Sequence, residues 1–524
     1  MSSVTLAVVV ALYIGVTVFL AYHGYRRTKS NKDYLIAGGD AHPFLMALAY
    51  GSTFISTAAI IGFGGAASLY GMGLLWLVFA NIFVGIFIAF VVYGKRTAIM
   101  GRELQVHTFP ELLGKRFESD FLRRVTAGVI VAAMPLYAAA VMIGGARFIE
   151  TTLHIQFSTA VWILALLVGA YVITGGLKGV LYTDALQGSI MMLGMVVLLV
   201  VTYAKLGGIT AAHHALTDMA GLVPESLKAK GHLGWTAMPA LGSELWWVAV
   251  SSLVLGVGIG VLAQPQLVVR FLTVKGPREL NRGVLIGGLF ILGVIGSVYV
   301  VGPLTNVFFF EHGGKISLLA ALDPATGKPN IDRVIPLYVN TAMPDWFSYL
   351  FMLTLLAAAM STLSGQFHTI GTAASHDLYQ RSNITVNRLG ILVTLVITVI
   401  LCFRLPGNII AVATATFFGI CAGAFLPAYT AALFWKRATK AGAVASLTVG
   451  LLASILAMTF LHAKEAVAFG VSQAVFGKAT VMAFPWTVID PICFSLPLST
   501  LTLVVVSLLT QSSAACRPSL SKGQ

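Results

Sequence analysis

Long apolar runs separated by short polar stretches govern this 524-residue chain. Runs of roughly 18 to 25 apolar residues match the ~20 that a helix needs to cross a ~30 Å hydrocarbon core. The ~10-residue alternating segments of a membrane barrel are absent. The pattern predicts thirteen spans, near 4–22, 43–71, 74–94, 125–146, 158–176, 180–204, 244–271, 283–309, 346–377, 386–403, 408–435, 440–461 and 484–510. The predicted fold class is an all-α integral membrane protein with a single membrane domain, 1–524. The longest stretches between spans, 206–243 and 310–345, are too short to add a second domain with its own core.

Composition agrees: with 58% hydrophobic and 10% charged residues, a soluble domain has too little polar surface to cover itself. The net charge of +14 does not imply nucleic acid, because the basic residues are not gathered into one stripe with aromatic partners. They concentrate in the loops after odd-numbered spans and in the C-terminal tail, among them Arg26, Arg27, Lys29, Lys32, Arg123 and Arg124. That asymmetry places the N-terminus outside and the C-terminus in the cytoplasm of a cell (cytoplasmic or inner) membrane, with anionic membrane lipids as partners. The first span lacks a basic leader and a small-residue cleavage site, so it reads as retained. Cys402, Cys421 and Cys493 lie in apolar segments and Cys516 in the tail, without a C-x-x-C pair, and are assigned packing roles. No phosphate-binding loop, H-E-x-x-H or nucleophile elbow is present, so the chain is not read as an enzyme.

The chemistry concentrates in three spans. The second reads GSTFISTAAIIGFGGAASLYG, in which Ser52, Thr53, Ser56 and Thr57 precede Gly62, Gly64 and Gly65. Such a stretch can unwind, and unwound backbone at membrane depth needs partners for its freed carbonyls. The seventh span is interrupted by Gly256, Gly258, Gly260 and Pro265; paired interruptions five spans apart point to an inverted repeat with a site at the midplane. In the ninth, Ala358, Ser361, Thr362 and Gly365 share one helical face. Small residues also serve close helix packing, but two adjacent hydroxyls beside free carbonyls make a neutral oxygen cage suited to a hard monovalent cation.

Those motifs, AAAMSTLSGQFHTIGTAASHDLY at the ninth span with TGGLKGVLYTDALQ, QPQLVVRF and LFWKRATKAGA, resemble the sodium/solute symporter family of proline, pantothenate, monocarboxylate and glucose carriers. The resemblance implies a five-plus-five inverted repeat with broken spans 2 and 7. Spans 2–6 (43–204) form the first repeat and spans 7–11 (244–435) the second, with span 1 (4–22) and spans 12–13 (440–510) peripheral. It implies Na+ as the coupling ion, held by backbone carbonyls of Ser52, Ile55 and Ala358 and by the hydroxyls of Ser361 and Thr362. A second sodium would use Asp184 and Ser364, although Gly365 stands where a further hydroxyl would help.

Asp184 also has a plainer reading, an interfacial ion pair with Lys178. Arg270 reads as a cytoplasmic anchor, His368 as a hydrogen-bonded packing residue and Asp490 as structural. For the solute, Phe54, Val257 and Val261 depart from the proline-carrying pattern, and Ala58 and Ala59 from the sugar-carrying one. A pocket of Thr53, Ser56, Thr57 and Gln264 with apolar walls suits a small organic acid such as a monocarboxylate, whose charge can use a half-helix N-terminus. A sodium/amino acid carrier of the proline type or a pantothenate carrier is the alternative. A channel lacks its charged rings or filter loops here, and a transporter-like sensor would need a signalling partner.

Overall fold

A computed structural model describes residues 3–153, 155–323, 327–380, 383–405 and 410–511. Among these residues the chain is all helix, with only two isolated β-bridges, Ala41 to Val274 and Leu322 to Pro329. Among the described residues, eleven helices are long and apolar enough to cross a membrane. Cys516 and the basic tail lie outside the described residues.

The first helix, α1 (Ser3–Arg27), ends on its own basic residues Arg26 and Arg27. α2 (Pro43–Phe54) starts with Pro43, whose missing N–H costs nothing at a helix start, and stops in mid-membrane. α3 (Ala58–Glu103) resumes the path and turns at Gly71, where φ is +71°. A short helix, α4 (Phe109–Arg116), is capped by the Thr108 hydroxyl accepting the Glu111 N–H. α5 (Asp120–Leu153) and α6 (Phe157–Lys205) follow.

α6 joins the predicted fifth and sixth spans through Gly176, at φ +55° and ψ −154°. A side chain there would be strained, and a Cβ would lie 2.7 Å from the Tyr34 ring. α7 (Glu244–Ala263) and α8 (Pro265–Val268) are separated by an extended Gln264. α9 (Pro277–Gly313) ends on Gly314 in the left-handed conformation. α10 (Asp345–Leu378) is buried almost throughout from Phe351 to Ser375 and packs against α2, α5 and α6. α11 (Ile384–Arg404) and α12 (Thr416–Phe434) lead to α13 (Lys440–Phe460) and α14 (Ile492–Thr510), which pack on each other. Leu452, Leu456, Leu508 and Leu509 of that last pair face outward, as lipid-facing side chains would.

The helix ends differ from the hydropathy reading where polar residues still fit a helix. α5 starts at Asp120 rather than near 125. The chain from 477 to Pro491 is irregular, although its apolar composition suggested a span from 484. Pro485 and Pro491 lack the backbone N–H that a helix interior uses.

Candidate functional site

Where α2 stops, Ile55 is extended, at φ −89° and ψ 103°, and the helix resumes with wide, π-type turns over Ala58–Gly62. The interruption leaves the last carbonyls of α2 without their usual N–H donors. In a buried setting those oxygens need other donors, and α10 supplies them. The Ser361 hydroxyl donates to the Ser52 carbonyl at 2.8 Å, with the Ala358 carbonyl 3.3 Å away. The Thr362 hydroxyl donates to the Thr53 carbonyl at 3.2 Å, with the Ile55 carbonyl at 3.5 Å. Ser52, Ile55, Ala358, Ser361 and Thr362 are all 1% exposed or less. The five oxygens expected to hold sodium are thus gathered in one buried cluster, joined by the carbonyl of Thr53. All are neutral and hard, the donor set that suits a small alkali cation.

Asp184 of α6 lies beside this cluster, fully buried. Its backbone carbonyl accepts from the Ser52 hydroxyl at 3.0 Å. Its Oδ1 accepts from Ser364 at 2.9 Å, and its Oδ2 from Thr53 at 3.1 Å and from Arg270 Nη2 at 2.6 Å. Arg270 Nη2 also donates to the Thr53 hydroxyl at 2.8 Å. Neither partner of this ion pair has any exposed side chain, so each charge is tolerated only because the other is present.

The break in the seventh span repeats the logic. Gln264 is extended at φ −70° and ψ 119°, and its Oε1 accepts from Gln266 Nε2 at 2.6 Å. Gln264 Nε2 and the Thr57 hydroxyl are buried without a protein partner. Ser56 is 3% exposed.

Residues 34–450 match the sodium:solute symporter family. The chain belongs to that family. The symporter is 27% identical to the sodium/pantothenate symporter of Haemophilus influenzae over 446 residues, covering 82% of this chain and 85% of the relative. It is 26% identical to the sodium/proline symporter of Escherichia coli over 473 residues, covering 87% and 88%. Among solved structures, a Na+-coupled sialic acid symporter in a substrate-bound outward-open state superposes with a TM-score of 0.74 at 18% identity, over 99% of both chains. That likeness shows the same all-helical fold, and membership of the family makes the chain a multi-pass membrane protein.

At the site the symporter's sequence misled over the partners of Arg270 and Asp184. Arg270 is not a surface anchor: it is fully buried and paired with Asp184, because the extended Gln264 and α8 carry QPQLVVRF inward. Lys178, the simple rival partner of Asp184, instead binds Asp33 at 2.8 Å. The signal for Arg270 was available in its own neighbourhood, since it is the single charge in the otherwise apolar run that follows Pro265. Its Nε and Nη1 have no protein partner, and neither has either amide atom of Gln366. His368 Nε2–H donates to the Tyr34 carbonyl at 2.9 Å. Asp490 accepts the Ile492 N–H at 3.0 Å at the start of α14.

Proposed function

We propose that this symporter imports a small solute bearing a carboxylate, most simply a monocarboxylate, coupled to sodium by alternating access. The observation that carries the sodium half is the meeting of the Ser361 and Thr362 hydroxyls with the carbonyls freed at Ile55. We read the chain as thirteen crossings, with spans 2–6 and 7–11 as inverted repeats. Extended residues at corresponding breaks, Ile55 and Gln264, support that reading. The N-terminus is placed outside and the C-terminus in the cytoplasm of the cell membrane, on the Lys/Arg distribution.

The solute assignment rests on chemistry near the two breaks. Thr57 and Gln264 offer buried donors with no protein partner, and Ser56 stands between Thr53 and Thr57 at the start of the second half-helix, whose N-terminus favours negative charge. Thr53, whose hydroxyl is engaged by Asp184 and Arg270, contributes through the walls of the pocket. The solutes in the relatives' names, pantothenate, proline and sialic acid, all carry a carboxylate.

Charge then bears on the ion count. One sodium moving down ~100 mV supplies about 2.3 kcal/mol, and a tenfold gradient about 1.4 kcal/mol. An anion moving with a single sodium forfeits the electrical part, which leaves about tenfold accumulation. A second sodium at Asp184 and Ser364 restores the electrical drive. It shares its carboxylate with Arg270, so it is the weaker of the two ions.

Uptake into proteoliposomes, across a panel of labelled monocarboxylates, amino acids, pantothenate and neutral sugars with sodium or choline outside, tests both halves. Sodium-dependent, saturable uptake of a monocarboxylate is expected. Uptake indifferent to sodium sinks the coupling, and sodium-driven uptake restricted to solutes without a carboxylate sinks the solute assignment.

A further inference from the structure

Away from the sodium and solute machinery, two imidazoles and one carboxylate meet where α4 touches the end of α10. His107 precedes α4, Glu111 sits in its first turn, and His376 lies in the last turns of α10. His376 Nε2 is 3.0 Å and His107 Nδ1 3.6 Å from the same oxygen, Glu111 Oε2. The three ligand atoms all lie within 4.8 Å of one another. Zinc binds nitrogen and carboxylate oxygen at ~2.0–2.2 Å, so ligand atoms of a tetrahedral site stand about 3.3 to 3.6 Å apart. The two measured separations from Oε2 bracket that span.

We propose that His107, Glu111 and His376 form a site for a divalent transition metal ion of the zinc class, which on binding ties α4 to the end of α10. Two imidazoles select zinc, cobalt or nickel over calcium or magnesium, which prefer all-oxygen sets. The capping role of Glu111, whose Oε2 accepts the His107 N–H at 2.8 Å, accounts for the carboxylate but not for two rings converging on it. The Glu111 side chain is 6% exposed, while His107 at 27% opens to solvent. A cavity of ≈ 40 Å³ lined by His107, Gln105, Arg102 and Lys32 borders the cluster on its His107 side.

The surrounding charges are mixed. Lys115 binds the other carboxylate oxygen, Oε1, at 3.0 Å, which leaves Oε2 to the imidazoles. Arg123 reaches the His376 carbonyl at 2.8 Å, but its charge is met by Asp377 at 2.7 Å. The opposing cations are therefore Lys115 on the carboxylate and Arg102 and Lys32 in the cavity beside His107, and the expected affinity is that of a regulatory site rather than a permanent structural one. α10 also carries Ser361 and Thr362, so pinning its end to α4 should slow the rearrangement that releases sodium.

The test uses the full chain without a histidine tag, purified in detergent. Zinc titrated by calorimetry should bind one ion per chain, and cobalt should give the visible absorption of a tetrahedral site. His376→Gln and His107→Gln should each weaken zinc binding by about tenfold or more, while keeping sodium-dependent uptake in chelator. Should one variant fold poorly, the other decides. Zinc on the face that carries α4 should inhibit wild-type uptake and spare both variants. Absence of saturable zinc binding, or equal binding by the wild type and both variants, overturns the site; binding without inhibition overturns the pinning.

Discussion

The Ser361 hydroxyl of α10 donates to the backbone carbonyl of Ser52 at 2.8 Å, across 309 positions of sequence. The bond exists because α2 ends where it does: were the helix continuous, that carbonyl would accept from an N–H one turn later. Replacing both Ser361 and Thr362 by alanine removes two of the proposed ligands and both donors to the broken helix. Hydrogen bonds to charged groups are worth ~1.5–3 kcal/mol each, so the sodium concentration for half-maximal uptake should rise by at least about tenfold. Sodium should also cease to raise the thermal unfolding temperature. A double variant with unaltered sodium dependence would remove the cage.

The buried pair of Arg270 and Asp184 makes a second, opposite kind of prediction. Arg270→Met leaves a carboxylate without its cation in the membrane interior, which costs about 3–5 kcal/mol. Adding Asp184→Asn removes the stranded charge, so the double variant should recover most of the lost stability without recovering full uptake. Thermal unfolding in detergent, read beside uptake, separates the two. If the single variant is as stable as the wild type, the pair does not hold the fold in the way described.

Periodicity made the broken spans legible because glycine, proline and hydroxyl residues cluster where helical hydrogen bonds are to be given up, as at Ser52 to Gly65 and Gly256 to Pro265. The shared face of Ala358, Ser361 and Thr362 was legible for the same reason, since i, i+3 and i+4 spacing fixes it locally. Arg270 was not. Its partner is 86 residues away in sequence, and only the three-dimensional course of QPQLVVRF decides whether a basic residue near a span end reaches lipid headgroups or turns inward. The cluster of His107, Glu111 and His376 was hidden for a related reason, as no fixed spacing joins α4 to the end of α10.

Gly65 offers a steric test of how the second span meets the 3-10 turn Ile331–Arg333. A Cβ on Gly65 would stand 2.0 Å from the Ile331 carbonyl oxygen, a backbone atom with little room to yield. Gly65→Ala should therefore displace that turn and destabilise by ~1–3 kcal/mol, the usual cost of overpacking. Gly128→Ala, where nothing lies within 4 Å, serves as the control and should be neutral. Equal unfolding temperatures for the two variants would contradict the close approach.

The chain between α13 and α14 predicts the direction in which stability follows pH. Burial pulls the pKa of His462 down, but the hydrogen bond and charge of Glu465, with a contribution from Asp490, outweigh it and hold the group above its ordinary 6.5. A histidine raised by folding contributes stability that is fully present below pH 6.5 and lost as pH climbs through the folded value. Asp490, pushed up to about 6 by burial, completes its own titration near the bottom of that range and adds little slope above it. Above about pH 6.5 the wild type should therefore lose thermal stability more steeply than His462→Gln, which has no proton to release. Parallel unfolding temperatures for the two proteins across that range would show that the Glu465 contact does not favour the charged imidazole.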